Sequence, residues 1–270
     1  MSIAFSIRLN ILSLPLVVIF FFLAHLFKFT RVWLVLMEEK KLSLFEVFFL
    51  YARTTLVNLI IPFKLGEIYR IAVVKKVTGA IKTGVLLVLV DRFFDTMALL
   101  ILTLPFMIFF GNGADPVILA LSGGLLAVLA FYLFYAPSYR YLNKYLIMTK
   151  RSGRALFTLE ALDRANEWYI FLQKLIRGRS PLILLSSLLG WIMEFAALKA
   201  LAGVFDSSFG INAFITYINS ILSGEKSRIG FIYNAMGIAV FAVLTVVLLI
   251  LTETKRERED AGHEKITGHI

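Results

Sequence analysis

The sequence contains no cysteine and only three histidines in 270 residues. Without cysteine, the chain has no disulfides, no thiol catalysis and no zinc–thiolate site. His25 lies near the start of the chain, whereas His263 and His269 lie in the polar C-terminal stretch. Since these residues do not form a convincing histidine metal cluster or Ser-His-Asp triad, we expect no metal, no cofactor and no hydrolase chemistry of the usual kind.

Charged residues are also few, at 17% of the chain, while 59% of the residues are hydrophobic and the mean hydropathy is +0.83. This composition predicts an integral membrane protein. The net charge of +10 fits basic loops that flank apolar segments and contact anionic lipid, so we expect no nucleic-acid partner. We therefore predict an all-α fold, a polytopic helical bundle in a membrane.

Apolar runs cover most of the chain and predict about six to eight hydrophobic segments. They occupy residues 10–27, 44–61, 83–110, 117–136, 181–204, 209–222 and 229–252. The run 209–222 is short for a spanning helix, which indicates a re-entrant or broken helix. We predict one transmembrane domain over residues 1–252 and a charged, disordered tail over residues 253–270.

A polar stretch between Asn58 and Arg70 interrupts the apolar sequence. Pro62 lacks a backbone N–H and favours the first turn of a helix, so it predicts that one helix ends and another begins there. The free N–H groups of such a helix start, with Lys64 beside them, suit a phosphate or carboxylate. The alternative is a juxtamembrane helix whose charges only meet lipid headgroups. The candidate residues of the stretch are Asn58, Pro62, Lys64, Gly66, Glu67 and Arg70.

Spacing within this stretch adds two expectations. On a helix that begins near Pro62, Lys64, Glu67 and Arg70 recur every three residues and share a face. Gly66 has no side chain, so another backbone or a ligand can approach closely there.

Three further charges lie inside the apolar run 83–110. Asp91 and Asp95 are four residues apart and share a helix face, with Arg92 offset from them. In the run 181–204, Glu194 and Lys199 are placed to pair with these charges across helices. Charges within a membrane segment predict a functional site, and the alternative is a structural ion-pair network that locks the helices together.

Residues 137–180 form the one long polar region before the tail, with basic residues in excess. The excess predicts a cytoplasmic loop, and apolar residues at helical spacing over 155–176 predict an amphipathic surface helix within it. Counting spans back from this loop places the basic segment 28–41 outside. We therefore predict that a segment around Pro62 enters the membrane and returns without crossing.

A second interruption falls at Ser223–Arg228, in the other half of the chain. Two broken hydrophobic segments in corresponding positions indicate a binding site between inverted repeats. The two segments share little sequence beyond a Gly-Glu pair, Gly66-Glu67 and Gly224-Glu225. Glu225 and Arg228 are the candidate site residues of the second half.

Together these residues resemble the lysylphosphatidylglycerol synthase transmembrane-region family, also called flippase-like proteins. The resemblance extends from about Arg31 to Thr252 and is most specific over the polar stretch. At Ser223–Arg228 the chain departs from the family, which commonly has a Pro-Gly-Gly run followed by Glu there. The residues that carry the resemblance are Arg31-Val32-Trp33, Asn58, Pro62, Lys64, Gly66-Glu67, Arg70, Asp91-Arg92, Asp95, Trp191 and Glu194.

The resemblance implies a protein that translocates a polar or anionic lipid headgroup, on a phospholipid or a polyprenyl carrier, across the cytoplasmic membrane. Lys64 and Arg70 would hold its phosphate and Asn58 its polar groups, while Glu67, Asp91 and Asp95 would neutralise the cations or carry a proton. The sequence shows no segment that resembles the soluble synthase domain of the bifunctional members, so we do not expect lysyl transfer. Two alternatives remain: a scaffold for an envelope glycosyltransferase, and a membrane-embedded transferase that uses Asp91 and Asp95. The expected partners are membrane lipids, with the tail cytoplasmic.

Overall fold

The computed structural model of the protein describes residues 13–37, 42–61, 65–110, 116–149, 153–223 and 227–267. Within these ranges the chain forms nine helices and no strands, which confirms the predicted all-helical bundle. The helices are α1 (Leu14–Leu36), α2 (Leu44–Ile60), α3 (Gly66–Thr78), α4 (Ile81–Phe110), α5 (Pro116–Thr149), α6 (Gly153–Ile176), α7 (Ser180–Val204), α8 (Ile211–Ser223) and α9 (Arg228–Thr267).

Among the described residues, four helices are long and apolar enough to cross a membrane, namely α1, α5, α7 and the first 27 residues of α9. The fold is therefore that of a polytopic membrane protein. Helices α3 and α8 have 13 residues each, which at 1.5 Å per residue gives roughly 20 Å. Neither is long enough alone for a hydrocarbon layer of about 30 Å.

Local sequence signals explain several helix ends. Ser43 and Glu46 form a capping box at the start of α2, which satisfies backbone N–H groups there. Gly79 follows α3 with φ +81°, a left-handed conformation that glycine adopts without strain. Glu46 therefore has a structural role at the helix start.

Helices α1 and α7 form the most extensive helix pair, and α4 packs against both. Gly190 of α7 packs against Ala24 of α1, and a Cβ on it would make ordinary van der Waals contact, 3.8 Å from the Ala24 carbonyl oxygen. Such small-residue contacts are typical of helix pairs in membranes, where burial of apolar surface gives little driving force. These three helices carry most of the charged residues of the site described below, and α3 carries the other two.

At each predicted interruption the two flanking helices touch at a glycine, and α2 and α3 also pack along each other. A Cβ on Gly66 of α3 would lie 2.7 Å from the Asn58 Cα of α2, and one on Gly230 of α9 would lie 2.9 Å from the Tyr217 ring of α8. Helix α2 also packs along α9. The two breaks therefore lie on the same side of the bundle core.

Helices α5 and α6 form an arm with little contact to the rest of the bundle. The arm holds together through tyrosines, with the Tyr135 and Tyr169 ring centroids 4.6 Å apart, and through a hydrogen bond of 2.9 Å from the Tyr139 hydroxyl to Asp163 Oδ1. Apolar α5 side chains such as Phe131 are 69% exposed, which is the expected state of a lipid-facing helix.

The C-terminal tail differs from the prediction. Helix α9 runs without interruption through Thr267, so the predicted disordered tail is helical up to that residue. Its sequence is rich in Glu, Lys and Arg, which have high helix propensity and form pairs three and four residues apart. High charge density alone therefore does not distinguish a disordered segment from a charged helix.

Candidate functional site

A cavity of about 470 Å³ lies between α1, α2, α3, α4, α7, α8 and α9. Four basic and four acidic side chains line it, so their formal charges cancel. These eight residues are Lys28, Arg31, Glu67, Arg70, Asp91, Arg92, Asp95 and Glu194. We call this space the central cavity.

Asp91 is the hub of one group of these charges, and only 2% of the residue is exposed. Its Oδ1 lies 2.5 Å from Arg31 Nε, and its Oδ2 lies 2.7 Å from Arg70 Nη1 and 2.8 Å from Arg92 Nη2. Three guanidinium groups from three helices thus meet one carboxylate. Because guanidinium stays protonated in proteins, Asp91 is held as an anion.

The same arginines bind two more carboxylates. Asp95 Oδ1 lies 2.7 Å from Arg31 Nη1, and Glu67 Oε1 lies 3.2 Å from Arg92 Nη2. Arg31 Nη1 also donates to Ser187 Oγ at 2.9 Å. We call the six residues the arginine–carboxylate cluster: Arg31, Glu67, Arg70, Asp91, Arg92 and Asp95.

Accessibility separates the members of this cluster. The side chains of Arg31 and Arg70 are 4% and 5% exposed, whereas that of Arg92 is 41% exposed. Arg31 and Arg70 therefore tie helices together, while Arg92 presents part of its guanidinium to the cavity.

A second, smaller group lies on the α1–α7 side of the cavity. Lys28 Nζ contacts Glu194 Oε2, and the Tyr217 hydroxyl donates to Glu194 Oε1 at 2.8 Å. The Lys28 side chain is 24% exposed and that of Glu194 is 5% exposed. We call these two residues the lysine–glutamate pair.

Trp191 connects the two groups. Its indole Nε1–H donates to the Asp95 carbonyl oxygen at 3.1 Å, and Lys28 Nζ lies 5.6 Å from the centre of its ring. Near the pair, His25 Nδ1 and the Tyr51 hydroxyl share a hydrogen bond of 2.8 Å. One continuous polar surface therefore extends across the cavity.

Both helix breaks border the cavity. Asn58 and Ile61 line it from the end of α2, and Ser220 and Ser227 line it from either side of the second break. Asn234 Nδ2 donates to the Leu59 carbonyl oxygen at 3.4 Å and so joins α9 to the end of α2. Broken segments from two halves that border one cavity are the arrangement seen at transporter binding sites.

The structure gathers most of the predicted residues but changes their roles. Asn58, Glu67, Arg70, Asp91, Arg92, Asp95 and Glu194 all line the cavity. Helix α3 begins at Gly66 and not near Pro62, so only Glu67 and Arg70 share the predicted face. Gly66 admits the Asn58 side chain and backbone of α2. Pro62, Lys64 and Glu225 lie outside the described residues.

Two predicted residues lie elsewhere. Lys199 is exposed and is not among the described lining residues, so the expected cross-helix pairing with Asp91 and Asp95 is wrong. Five residues separate it from Glu194, which on a helix is a rotation of about 140° and places the two on different faces. Arg228 is also exposed and outside the described lining, although its neighbour Ser227 lines the cavity.

The sequence reasoning missed Lys28 and, as a site residue, Arg31. Both fall in the basic segment 28–41, which the sequence places after the first apolar run, but α1 continues through Leu36. Their spacing of three residues, on a helix with apolar residues on both sides, is the signal that places both on one face.

The arrangement gives little support to a metal-dependent transferase. Both oxygens of Asp91 contact guanidinium groups, and both oxygens of Asp95 lie within 4 Å of one. A divalent cation would have to displace or overcome these positive charges. Among the described residues, no group of three or more metal-ligating side chains is present.

Fold and site together define a polytopic helical membrane protein with a charged central cavity. The chain belongs to the family described as Lysylphosphatidylglycerol synthase TM region, which matches residues 3–224. The matched range begins before Arg31, where the resemblance seen in the sequence starts, and it ends inside Ser223–Arg228, the segment that departs from the family pattern. No curated protein and no solved structure matches the chain. The protein is thus a membrane protein of a lipid-related family.

Proposed function

We propose that the protein translocates a lipid with a polar or anionic headgroup between leaflets of the cytoplasmic membrane, through the central cavity. The observation that carries the proposal is a cavity of about 470 Å³ inside a membrane bundle, with two cations that are partly free to contact a ligand. These cations are Arg92 and Lys28, whose side chains are 41% and 24% exposed.

In the described part of the chain these two cations, and not Arg70, are the proposed phosphate ligands; Lys64 lies outside the described residues and stays a prediction. Arg70 and Arg92 both contact Asp91, but the Arg70 side chain is only 5% exposed, so a ligand cannot reach it as it can reach Arg92. Arg92 offers the forked donor geometry that suits phosphate oxygens. The Asn58 Oδ1 atom is buried without a hydrogen-bond partner among the described residues, and it would accept from a headgroup hydroxyl or amine.

The equal numbers of cations and carboxylates around the cavity also favour passage of a lipid headgroup over its permanent binding. Four cations and four carboxylates line the cavity, so a bound phosphate competes with protein carboxylates for every cation. Such competition lets a headgroup bind and leave again, as passage requires. The sequence has no nucleotide-binding motif, so the energy would come from a gradient or from consumption of the product.

The test is a leaflet-accessibility assay in proteoliposomes loaded with candidate lipids. We expect the natural protein to expose inner-leaflet headgroups faster than empty vesicles, and Arg92→Gln to lose most of this rate. Arg164→Gln is the matched control, because Arg164 is 74% exposed and pairs with Glu160 on α6. If no lipid moves faster than in empty vesicles, or if Arg92→Gln retains the full rate, the proposal fails.

A further inference from the structure

Glu194 differs from the other cavity carboxylates in the number of cations that hold it. Among the described residues it has one, Lys28, and one hydroxyl donor, Tyr217. Asp91 has three guanidinium partners and Asp95 has two. Loss of a single cation therefore has very different consequences at these sites.

Consider a ligand phosphate that draws one cation away from each site. If Arg92 turns to the ligand, Asp91 keeps Arg31 and Arg70, and its charge remains compensated. If Lys28 turns to the ligand, Glu194 is left with a 5% exposed side chain and no cation. A buried carboxylate without a counter-charge takes up a proton in preference to remaining ionised.

Lys28 is able to make this move. Its side chain is partly exposed to the cavity, and an ammonium group on a four-carbon stem reorients more freely than a guanidinium held at several points. Its other contact is the ring of Trp191 at 5.6 Å, which does not fix the direction of the ammonium group.

Among the described lining residues, no other cation is free to take the place of Lys28. The remaining cations of the lining, Arg31, Arg70 and Arg92, are bound to the carboxylates of the arginine–carboxylate cluster. The other titratable and charged groups that line the cavity are His25 and Arg31 from α1, Tyr51 from α2, Glu67 and Arg70 from α3, Asp91, Arg92 and Asp95 from α4, Tyr217 from α8 and Tyr233 from α9. The tyrosines are neutral near pH 7, and His25 is hydrogen-bonded to Tyr51.

We propose that binding of an anionic headgroup in the central cavity is coupled to uptake of a proton by Glu194, because the headgroup draws Lys28 away from it. The inference rests on the proposed function and names its coupling residue. The proton comes from solvent and adds to Glu194 Oε2, the oxygen that Lys28 leaves, while Tyr217 continues to donate to Oε1. One negative charge and one proton then enter together, so the loaded cavity keeps the net charge of the empty one.

The experiment measures protons taken up on binding. The probe is dihexanoylphosphatidylglycerol, since its phosphodiester carries one negative charge and does not titrate near neutral pH. Calorimetric titration of the purified protein at pH 7, in buffers of different ionisation enthalpy, gives both the affinity and the number of protons. For the natural protein we expect uptake of about one proton per bound probe.

Two variants test the assignment independently. Glu194→Gln should bind the probe without proton uptake. Lys28→Met should bind more weakly and also without uptake, because Glu194 without its ammonium partner is protonated before the probe arrives. Glu160→Gln, an exposed α6 carboxylate, should behave as the natural protein does.

The outcomes separate this inference from the function on which it rests. Probe binding by the natural protein with no proton uptake overturns the coupling and leaves a binding cavity. Uptake that persists in Glu194→Gln overturns the assignment of the proton to Glu194. Absence of probe binding by the natural protein overturns both the coupling and the anionic ligand.

Discussion

Helices α5 and α7 are both long and apolar, yet they lie in opposite environments. In the apolar window of α7, 39% of residues are buried in the protein, against 6% in that of α5. The more apolar of the two, α5, is the one that the protein buries least. In a membrane bundle, hydrophobicity therefore marks contact with lipid, and polar residues such as Ser187 and Glu194 on α7 mark the interior.

The same contrast holds for charges. Around the cavity, Asp91 and two of its three arginine partners, Arg31 and Arg70, are almost completely buried, whereas the α6 pair of Arg164 and Glu160 has side chains 74% and 62% exposed. Both ion pairs are short. Their contributions to stability should differ, because water screens one pair and is excluded from the other. Matched substitutions in the bundle and the arm can test this difference.

We expect the largest loss in the free energy of unfolding for Asp91→Asn. It removes the anion shared by three arginines, two of them buried, and leaves their charges uncompensated. Breaking a buried ion pair costs about 3–5 kcal/mol in the free energy of unfolding. SDS-induced unfolding of the purified protein in mixed micelles measures the change. A loss under about 1 kcal/mol would show that water already screens the cluster.

Glycines give the next comparison. Gly66→Ala places a Cβ 2.0 Å from Asn58 Oδ1 and 2.7 Å from the Asn58 Cα, so α2 and α3 must move apart at the first helix break. We expect this to lower the free energy of unfolding by about 1–3 kcal/mol. Gly123→Ala on α5 meets nothing within 4 Å and should be neutral or stabilising by up to about 1 kcal/mol. The same unfolding assay compares the two. Equal effects would contradict the close α2–α3 packing.

The sequence predicted the helical membrane fold and most of the charged cavity residues, because both follow from local rules. Long apolar runs give membrane helices, and charges inside them have to face protein or water. The cluster of Asp91, Arg92 and Asp95 was visible for this reason. Its partner Arg31 was visible only as part of the family resemblance, since the sequence does not show where α1 ends.

Pairing across helices could not be predicted, because it depends on how the helices rotate against one another. Lys199 and Glu194 lie in the same apolar run, but only Glu194 faces the cavity. Lys28, 166 residues away in the chain, is its partner. The sequence predicted that another backbone or a ligand approaches Gly66 closely. In the structure the residue that does so is Asn58.

A smaller effect is expected for Trp191→Phe. The substitution removes the indole N–H that donates to the Asp95 carbonyl oxygen at 3.1 Å. We expect the loss of this hydrogen bond to lower the free energy of unfolding by about 0.5–1.5 kcal/mol. The control is Trp168→Phe on α6, whose ring lies 5.9 Å from Lys82 Nζ and is 38% exposed. The assay is again unfolding in mixed micelles. A larger loss for Trp168→Phe would place the arm in a packed environment.

We expect the smallest change in the free energy of unfolding for Glu160→Gln in the arm. Its carboxylate lies 2.5 Å from Arg164 Nη2, one helical turn away, and exposed pairs at this spacing contribute less than about 0.5 kcal/mol. The change in unfolding free energy should fall within the error of the assay and vanish at high salt, because the Debye length shortens. A loss above about 1 kcal/mol would mean that another molecule covers this face of α6, and the contrast between arm and bundle would then hold only for the isolated chain.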